Sequence, residues 1–176
     1  MCCLLAIESE FASAYMLGFI LEAIPGMASG YQENISSYLR NDSSTILLVV
    51  LLAPLFEEFV FRFFILGLSQ KLLPFLTANL MQAALFGIYH LNLIKGIYAF
   101  VFGLLMGYLV KCTGSIISSV CFHITFNLTG LMLDDYMPRD LGVAVKIFIL
   151  AASLAAFAYT FVNLIKVSRY ESECSM

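Results

Sequence analysis

Glu57, Glu58 and Arg62 are three charged residues in the middle of a long apolar segment. A charge at the centre of a membrane helix costs about 2.5 to 3.5 kcal/mol on insertion scales, so each of these residues needs a partner or a function. Glu58 and Arg62 are four positions apart, share one helix face and could form a purely structural ion pair. Glu57 points about 100° away from Glu58 and has no basic partner on its own helix. Glu57 therefore needs a partner from another segment.

Both histidines of the chain, His90 and His123, also lie within apolar segments. A single buried histidine is commonly a packed residue whose hydrogen bonds are satisfied. However, Asn127 follows His123 by four positions and projects onto the same helix face. A carboxylate, two imidazoles and a carboxamide are the groups needed to activate a water molecule and to stabilise an oxyanion. The candidate catalytic residues are therefore Glu57, His90, His123 and Asn127.

The composition indicates the solvent of the helices that must position these residues. The chain has 176 residues, of which 61% are hydrophobic and 12% are charged, and its mean hydropathy is +0.94. Soluble domains carry roughly 25% charged residues, so this composition indicates a membrane protein. A spanning helix needs about 20 apolar residues, and the length therefore predicts an all-α, polytopic transmembrane helix bundle. We expect a multi-pass integral protein of the cell membrane.

We predict about six spans, separated by polar segments. The spans cover residues 3–24, 45–69, 77–90, 96–111, 115–133 and 142–167. A polar loop at 29–44 and an acidic loop that begins at Asp134 are two of the connections. The chain thus divides into an N-terminal span and polar loop (1–44), a core with all candidate catalytic residues (45–133) and a C-terminal span and tail (134–176). We expect these parts to form one integrated membrane domain.

Some kinds of site and partner are not expected from the sequence. The five cysteines contain no C-x-x-C pair, so neither a disulfide framework nor a cysteine-rich zinc site is indicated. The net charge is -3 and no Lys/Arg run could follow a phosphate backbone, so nucleic acid is not an expected partner. Membrane lipid and a peptide or protein substrate are the expected partners.

Three ordered motifs resemble those of the CAAX protease and bacteriocin-processing family of intramembrane glutamic endopeptidases. The family pattern E-E-x-x-x-R occurs as EEFVFR at 57–62, F-x-x-x-H as FGIYH at 86–90, and H-x-x-x-N as HITFN at 123–127. Each motif is short, but their order and their positions inside predicted spans make the combination specific. The resemblance covers about residues 45–130 and implies an intramembrane endopeptidase.

The resemblance also implies a role for each candidate catalytic residue. Glu57 would be the general base that, together with His90, activates a water molecule for attack on the scissile amide. His123 and Asn127 would donate hydrogen bonds to the tetrahedral oxyanion, a role worth a few kcal/mol per donor. A carboxylate beside an imidazole is a suitable pair for holding the water and moving its proton.

The same resemblance implies that Glu58 and Arg62 brace the first motif and that no cofactor takes part. A metal version stays open, because Glu57, His90 and His123 could supply the two-histidine, one-carboxylate set of catalytic zinc. The chain has no H-E-x-x-H that would place two ligands one helical turn apart, which favours the metal-free mechanism.

Two other classes of function stay open at this point. A non-catalytic membrane protein, such as a bacteriocin immunity or scaffolding factor, could keep the fold and bind a peptide. A proton-coupled transporter could use intramembrane Glu and His residues as a relay, but it would predict inverted repeats, and none is visible. The substrate is also open: a prenylated C-terminus, a bacteriocin leader or another membrane-anchored peptide.

Overall fold

The computed structural model describes residues 1–24, 43–136 and 141–174. This part of the chain is built from helices and contains no strand. We number six helices in chain order: α1 (Cys2–Ala23), α2 (residues 43–69), α3 (Phe75–Tyr89), α4 (Leu93–Thr113), α5 (Ile116–Tyr136) and α6 (Val143–Cys174). The predicted all-α helix bundle is therefore confirmed.

Four of the described helices are long and apolar enough to cross a membrane. They are Cys2–Ala23, Leu93–Thr113, Ile116–Leu133 within α5 and Val143–Ser168 within α6. Of the other two helices, α2 carries Glu57, Glu58 and Arg62, and α3 is apolar but has only 15 residues and so spans about 22 Å, less than the hydrocarbon thickness of about 30 Å. The chain is an integral membrane protein whose first motif places its three charged residues on a single helix, α2.

Helix α3 begins and ends where the backbone requires it. Pro74 precedes the helix with an extended conformation, φ −56° and ψ 147°. At the other end His90 is the first residue after the helix, and Leu91 has a positive φ of 51°. Because a non-glycine residue in the left-handed region ends a helix, the chain turns immediately after His90. The predicted span 77–90 agrees with α3 within two residues.

Helix α4 begins earlier than the predicted span 96–111. Asn92 is its N-cap, and the side-chain oxygen of Asn92 accepts a hydrogen bond from the backbone N–H of Lys95 at 3.0 Å. Gly114 ends the helix with a left-handed φ of 65°. The predicted span began one residue after Lys95, whereas the cap brings this residue into the first turn.

Parts of both predicted loops lie outside the described residues. The polar loop at 29–44 does so except for its last two residues, which begin α2. In the predicted acidic loop, Asp134 and Asp135 are instead helical, because α5 continues to Tyr136. Pro138 and Asp140 lie outside the described residues.

The chain forms two compact units, with boundaries inside α2 and α5. One unit comprises Met1–Val50 and Ile124–Met176, and the other comprises Leu51–His123. The predicted division at residues 44 and 133 stays a prediction. In the first unit α1 packs against α6, where Lys146 Nζ donates to Glu22 Oε1 at 2.7 Å.

In the second unit α3 and α4 approach each other closely. A Cβ atom at Gly103 would lie 3.1 Å from Ala83, and one at Gly107 would collide with the side chain of Asn79. Gln82 Nε2 donates to the carbonyl oxygen of Gly103 at 2.8 Å. Small residues four apart therefore let buried amide side chains join the two helices. A Cβ atom at Gly87 would lie 2.7 Å from the carbonyl oxygen of Gly96, so the close approach continues to the end of α3 that precedes His90.

Candidate active site

The two adjacent glutamates lie on an irregular part of α2. Residues Ala53–Glu58 are α-helical, but they are preceded by a π-helical stretch at Leu48–Leu52 and followed by another at Phe59–Leu66. Pro54 has no N–H and cannot make the helical hydrogen bond of its position, which accounts for an interruption at this point. π-Helical turns are rare in proteins and occur frequently at functional sites. Glu57 and Glu58 are the last residues of the short α-helical stretch.

His123 of α5 lies between the two carboxylates. Its Nδ1 is 2.9 Å from Glu58 Oε1, and its Nε2 is 3.6 Å from Glu57 Oε2. The first distance is a direct hydrogen bond, and the second is slightly longer than one. The side chain of His123 is 9% exposed and that of Glu57 is 15% exposed. Each ring nitrogen of His123 thus faces a different carboxylate in a nearly closed environment.

Glu58 also pairs with Arg62 on its own helix. Arg62 NH1 is 3.0 Å from Glu58 Oε1, and both side chains are fully buried. The guanidinium lies over the ring of Phe86, 4.4 Å from its centroid, in a cation–π contact. Because an arginine cation lies beside Glu58, we assign this residue as the carboxylate acceptor and His123 Nδ1 as the donor. The expected contact between Glu58 and Arg62 is present.

His90 has a different orientation from His123. Its Nδ1 is 2.8 Å from the carbonyl oxygen of Phe86, so Nδ1–H donates to this oxygen and Nε2 is the acceptor nitrogen of the neutral ring. The ring stands perpendicular to Phe86 at 4.8 Å between centroids, and Phe86 meets His123 in the same way at 5.8 Å. Phe86 therefore touches both histidines as well as Arg62.

A cavity of about 210 Å³ lies beside Glu57. It is lined by Phe56, Glu57, Val60, Phe61 and Tyr89. Glu57 is the charged residue of this lining, and the other four side chains are apolar or aromatic. The cavity can therefore hold an apolar group directly beside a carboxylate.

Asn127 belongs to the other compact unit and has its own partner there. Its Nδ2 donates to the carbonyl oxygen of Val49 at 3.1 Å. Val49 lies in the first π-helical stretch, where an i→i+5 pattern would pair its carbonyl with Pro54, which has no N–H. The Asn127 amide supplies a donor to this carbonyl, and one Nδ2 hydrogen is left for another acceptor.

A zinc site would need several metal-ligating side chains close together. In residues 1–24, 43–136 and 141–174, no group of three or more His, Cys, Asp or Glu side chains is arranged to hold a metal ion. Four cysteines in this part of the chain, Cys2, Cys3, Cys112 and Cys121, form no disulfide.

Sequence reasoning did not identify five residues of the site region. Phe86 entered only as the first position of a motif, and no role was assigned to the other four, Phe56, Val60, Phe61 and Tyr89. Their distance along the chain could have identified them, because each is apolar and lies within one helical turn of a motif residue, and such positions are near each other on a helix. Their type alone does not distinguish them from the other apolar residues of a membrane helix.

The chain combines four helices of spanning length with a buried cluster of two carboxylates, an imidazole and a guanidinium. These features define a class of polytopic membrane proteins with groups that can exchange protons. The model of the type II CAAX prenyl endopeptidase Rce1-like family matches residues 40–129, just over half of the chain. The chain belongs to this family. No curated protein and no solved structure is a significant match. The family supports an intramembrane protease of the CAAX type.

Proposed function

We propose that the chain is a metal-free glutamic endopeptidase of the cell membrane, which hydrolyses a peptide bond in a membrane-associated protein or peptide. The observation that supports this most strongly is the position of His123 between Glu57 and Glu58, 3.6 Å and 2.9 Å away, in a nearly closed environment. Glu57 borders an apolar cavity, so a bound peptide and the carboxylate could meet there. A purely structural ion pair would need only Glu58 and Arg62, so it does not explain the presence of Glu57.

In the proposed reaction Glu57 is the general base. It removes a proton from a water molecule while the water oxygen attacks the scissile carbonyl carbon. The acceptor nitrogen Nε2 of His90 helps to hold this water, because Nδ1–H already donates to the Phe86 carbonyl. When the carbon–nitrogen bond breaks, Glu57 transfers this proton to the nitrogen of the leaving amine. The products are one carboxylate and one amine.

The oxyanion of the tetrahedral intermediate needs hydrogen-bond donors. We assign this role to His123 and Asn127. Since Nδ1–H of His123 donates to Glu58, Nε2 can donate only when both ring nitrogens carry protons. The carboxylates of Glu57 and Glu58 beside the ring balance the charge of that imidazolium. Asn127 would use the Nδ2 hydrogen that Val49 does not accept.

The family name points to the substrate class. We propose a peptide held at the membrane, either by a lipid group such as a prenyl chain or by its own apolar segment. Such a substrate reaches intramembrane residues by lateral movement in the bilayer. A bacteriocin immunity function would use the same peptide site, with cleavage or with binding alone.

The test is cleavage of a quenched membrane-peptide library by purified protein in detergent. Wild type is compared with Glu57→Gln, His123→Ala and, as a matched control, Glu22→Gln on α1. Each protein is assayed with and without a chelator. We expect the first two variants to lose activity, the control to keep it and the chelator to have no effect.

Each other result has a defined meaning. Loss of activity on chelation, restored by zinc, would replace the glutamate mechanism with the zinc mechanism. Activity that persists in Glu57→Gln would exclude Glu57 as the base. Binding of library peptides without any cleavage by wild type would favour the immunity or scaffolding function.

A further inference from the structure

The carboxylate of Glu58 is bound on one side only. Nδ1 of His123 donates to Oε1 at 2.9 Å, and NH1 of Arg62 lies 3.0 Å from the same oxygen. The other oxygen, Oε2, is buried and accepts no hydrogen bond from the described residues. A buried acceptor without a donor is costly, and a carboxylate can accept on both of its oxygens. Oε2 therefore needs a donor from a residue that packs against Glu58.

Ser119 of α5 is placed to supply this donor. It precedes His123 by four positions, so both side chains share one face of the helix, and both belong to the compact unit Leu51–His123. The side chain of Ser119 is completely buried, and its hydroxyl faces the Glu58 carboxylate. One turn of α5 thus directs a hydroxyl and an imidazole towards a single carboxylate.

The Ser119 hydroxyl has two possible acceptors. It donates to the backbone carbonyl of Ile116 at 2.9 Å, and that carbonyl also accepts the helical N–H four positions later. A hydroxyl proton rotates about its carbon–oxygen bond. Because a hydrogen bond to a charged acceptor is stronger than one to a neutral carbonyl, the rotation towards Oε2 of Glu58 is favourable. The Ile116 carbonyl keeps its helical hydrogen bond after this rotation.

We propose that Ser119 is a positioning residue whose hydroxyl donates to Oε2 of Glu58, so that α5 holds both oxygens of this carboxylate. This inference rests on the proposed function, because Ser119 acts through His123, the proposed donor to the oxyanion. A carboxylate held on both oxygens cannot rotate away from Nδ1, and the imidazole then keeps Nε2 directed at the oxyanion. Without the hydroxyl, Glu58 can rotate and the orientation of His123 is less well fixed.

The experiment removes the hydroxyl with and without the charge of Glu58. Ser119→Ala, Ser119→Thr and Ser119→Val are made in the full-length protein and again together with Glu58→Gln. Thr and Val have similar volumes and differ mainly in the hydroxyl, so their comparison cancels the cost of the added methyl groups. Ser118→Ala is the control, because the hydroxyl of Ser118 donates to the carbonyl oxygen of Ser115 at 2.7 Å within its own turn. For each protein kcat and KM are measured with one cleavable membrane peptide, and the free energy of unfolding is measured in detergent.

We expect Ser119→Ala and Ser119→Val to lower kcat by about tenfold or more, with KM within about twofold of wild type. Ser119→Thr should keep kcat within about threefold, and Ser118→Ala should change neither constant. Together with Glu58→Gln, loss of the Ser119 hydroxyl should change kcat by less than about twofold. The amide NH2 that replaces Oε2 is itself a donor and needs no hydroxyl. A merely structural role would lower kcat by the same factor in both backgrounds.

The outcomes separate this inference from the proposed function. Equal losses of kcat in both backgrounds would overturn the positioning role and leave the protease. The same kcat for Ser119→Thr and Ser119→Val would also overturn it, because the hydroxyl would then be unimportant. A wild type that cleaves no peptide, with Ser119 and Glu58 still coupled in the free energy of unfolding, would overturn the protease and support the hydrogen bond between these two residues.

Discussion

Glutamates occur in the apolar helices of both compact units, but their partners differ. In the first unit Glu8 Oε1 accepts from Thr160 at 2.9 Å and Glu22 Oε1 accepts from Lys146 at 2.7 Å. These contacts join α1 to α6, with a separate partner for each carboxylate. In the second unit Glu57 and Glu58 are neighbours in sequence and share a single imidazole.

This difference separates a packing role from a chemical one. A carboxylate with its own hydroxyl or ammonium partner on another helix holds two helices together, and its removal affects that contact. Two carboxylates on one imidazole form a unit through which a proton can move. A glutamate in a membrane helix is therefore interpreted from its partners and not from its type.

The largest effect is expected for Glu57→Gln. The amide keeps the size of the side chain but cannot take a proton from water, so kcat/KM should fall by about 10³-fold or more. The melting temperature in detergent should change little, because Glu57 is outside the ion pair of Glu58 and Arg62. Activity above a tenth of wild type would contradict the role of Glu57 and weaken the distinction between the two units.

Arg62→Met should be the most destabilising of the changes considered. It leaves Glu58 buried without its cation, which costs about 3 to 5 kcal/mol in such pairs. The free energy of unfolding in detergent, measured with a denaturant, reports this cost. In the double variant with Glu58→Leu most of the stability should return, since apolar residues of similar volume can replace a buried ion pair. If the double variant did not regain stability, apolar side chains could not replace the pair, and the fold would need the pair itself.

Glu58→Gln tests whether this residue positions His123. The amide can still accept a hydrogen bond from Nδ1–H, but it lacks the charge that balances an imidazolium. We expect roughly a 100-fold loss in kcat with little change in KM, a smaller effect than that of the wrong tautomer in a catalytic triad. A rise in KM with unchanged kcat would instead indicate that Glu58 shapes peptide binding.

Two glycine substitutions compare helix packing in the two units. Gly107→Ala places a methyl group against the side chains of Asn79 and Gln82, so it should destabilise the protein by about 1 to 3 kcal/mol. Gly18 of α1 has nothing within 4 Å of an added Cβ, and Gly18→Ala should stabilise by about 0.5 to 1 kcal/mol. Thermal unfolding in detergent measures both. A neutral or stabilising effect of Gly107→Ala would show that α3 and α4 adjust freely.

The smallest effect is expected for Glu22→Gln. Glu22 is 56% exposed, and exposed ion pairs contribute about 0 to 1 kcal/mol. Stability should fall by less than about 1 kcal/mol, and cleavage of library peptides should be unchanged. A tenfold loss of activity would show that glutamates of the first unit also take part in the reaction.

Much of the fold follows from local sequence properties. Apolar segments of spanning length predict helices and a membrane environment, because an isolated backbone in lipid must form its hydrogen bonds within one segment. The i,i+4 spacing of Glu58 and Arg62 predicts their contact for the same local reason. The helix ends were predicted less accurately than the helices themselves. Helix α4 begins at the Asn92 cap and α5 extends to Tyr136, and neither end was predicted because a cap depends on side-chain geometry.

The chain order of the three motifs was enough to select Glu57, His90, His123 and Asn127 as one set and to identify the family. Only the tertiary structure decided the partners: His123 meets both carboxylates, His90 turns to the carbonyl of Phe86, and Asn127 donates to Val49. Spacing along a helix determines which residues share a face. It does not determine which ring nitrogen meets which acceptor, because that depends on how separate helices pack and rotate against each other.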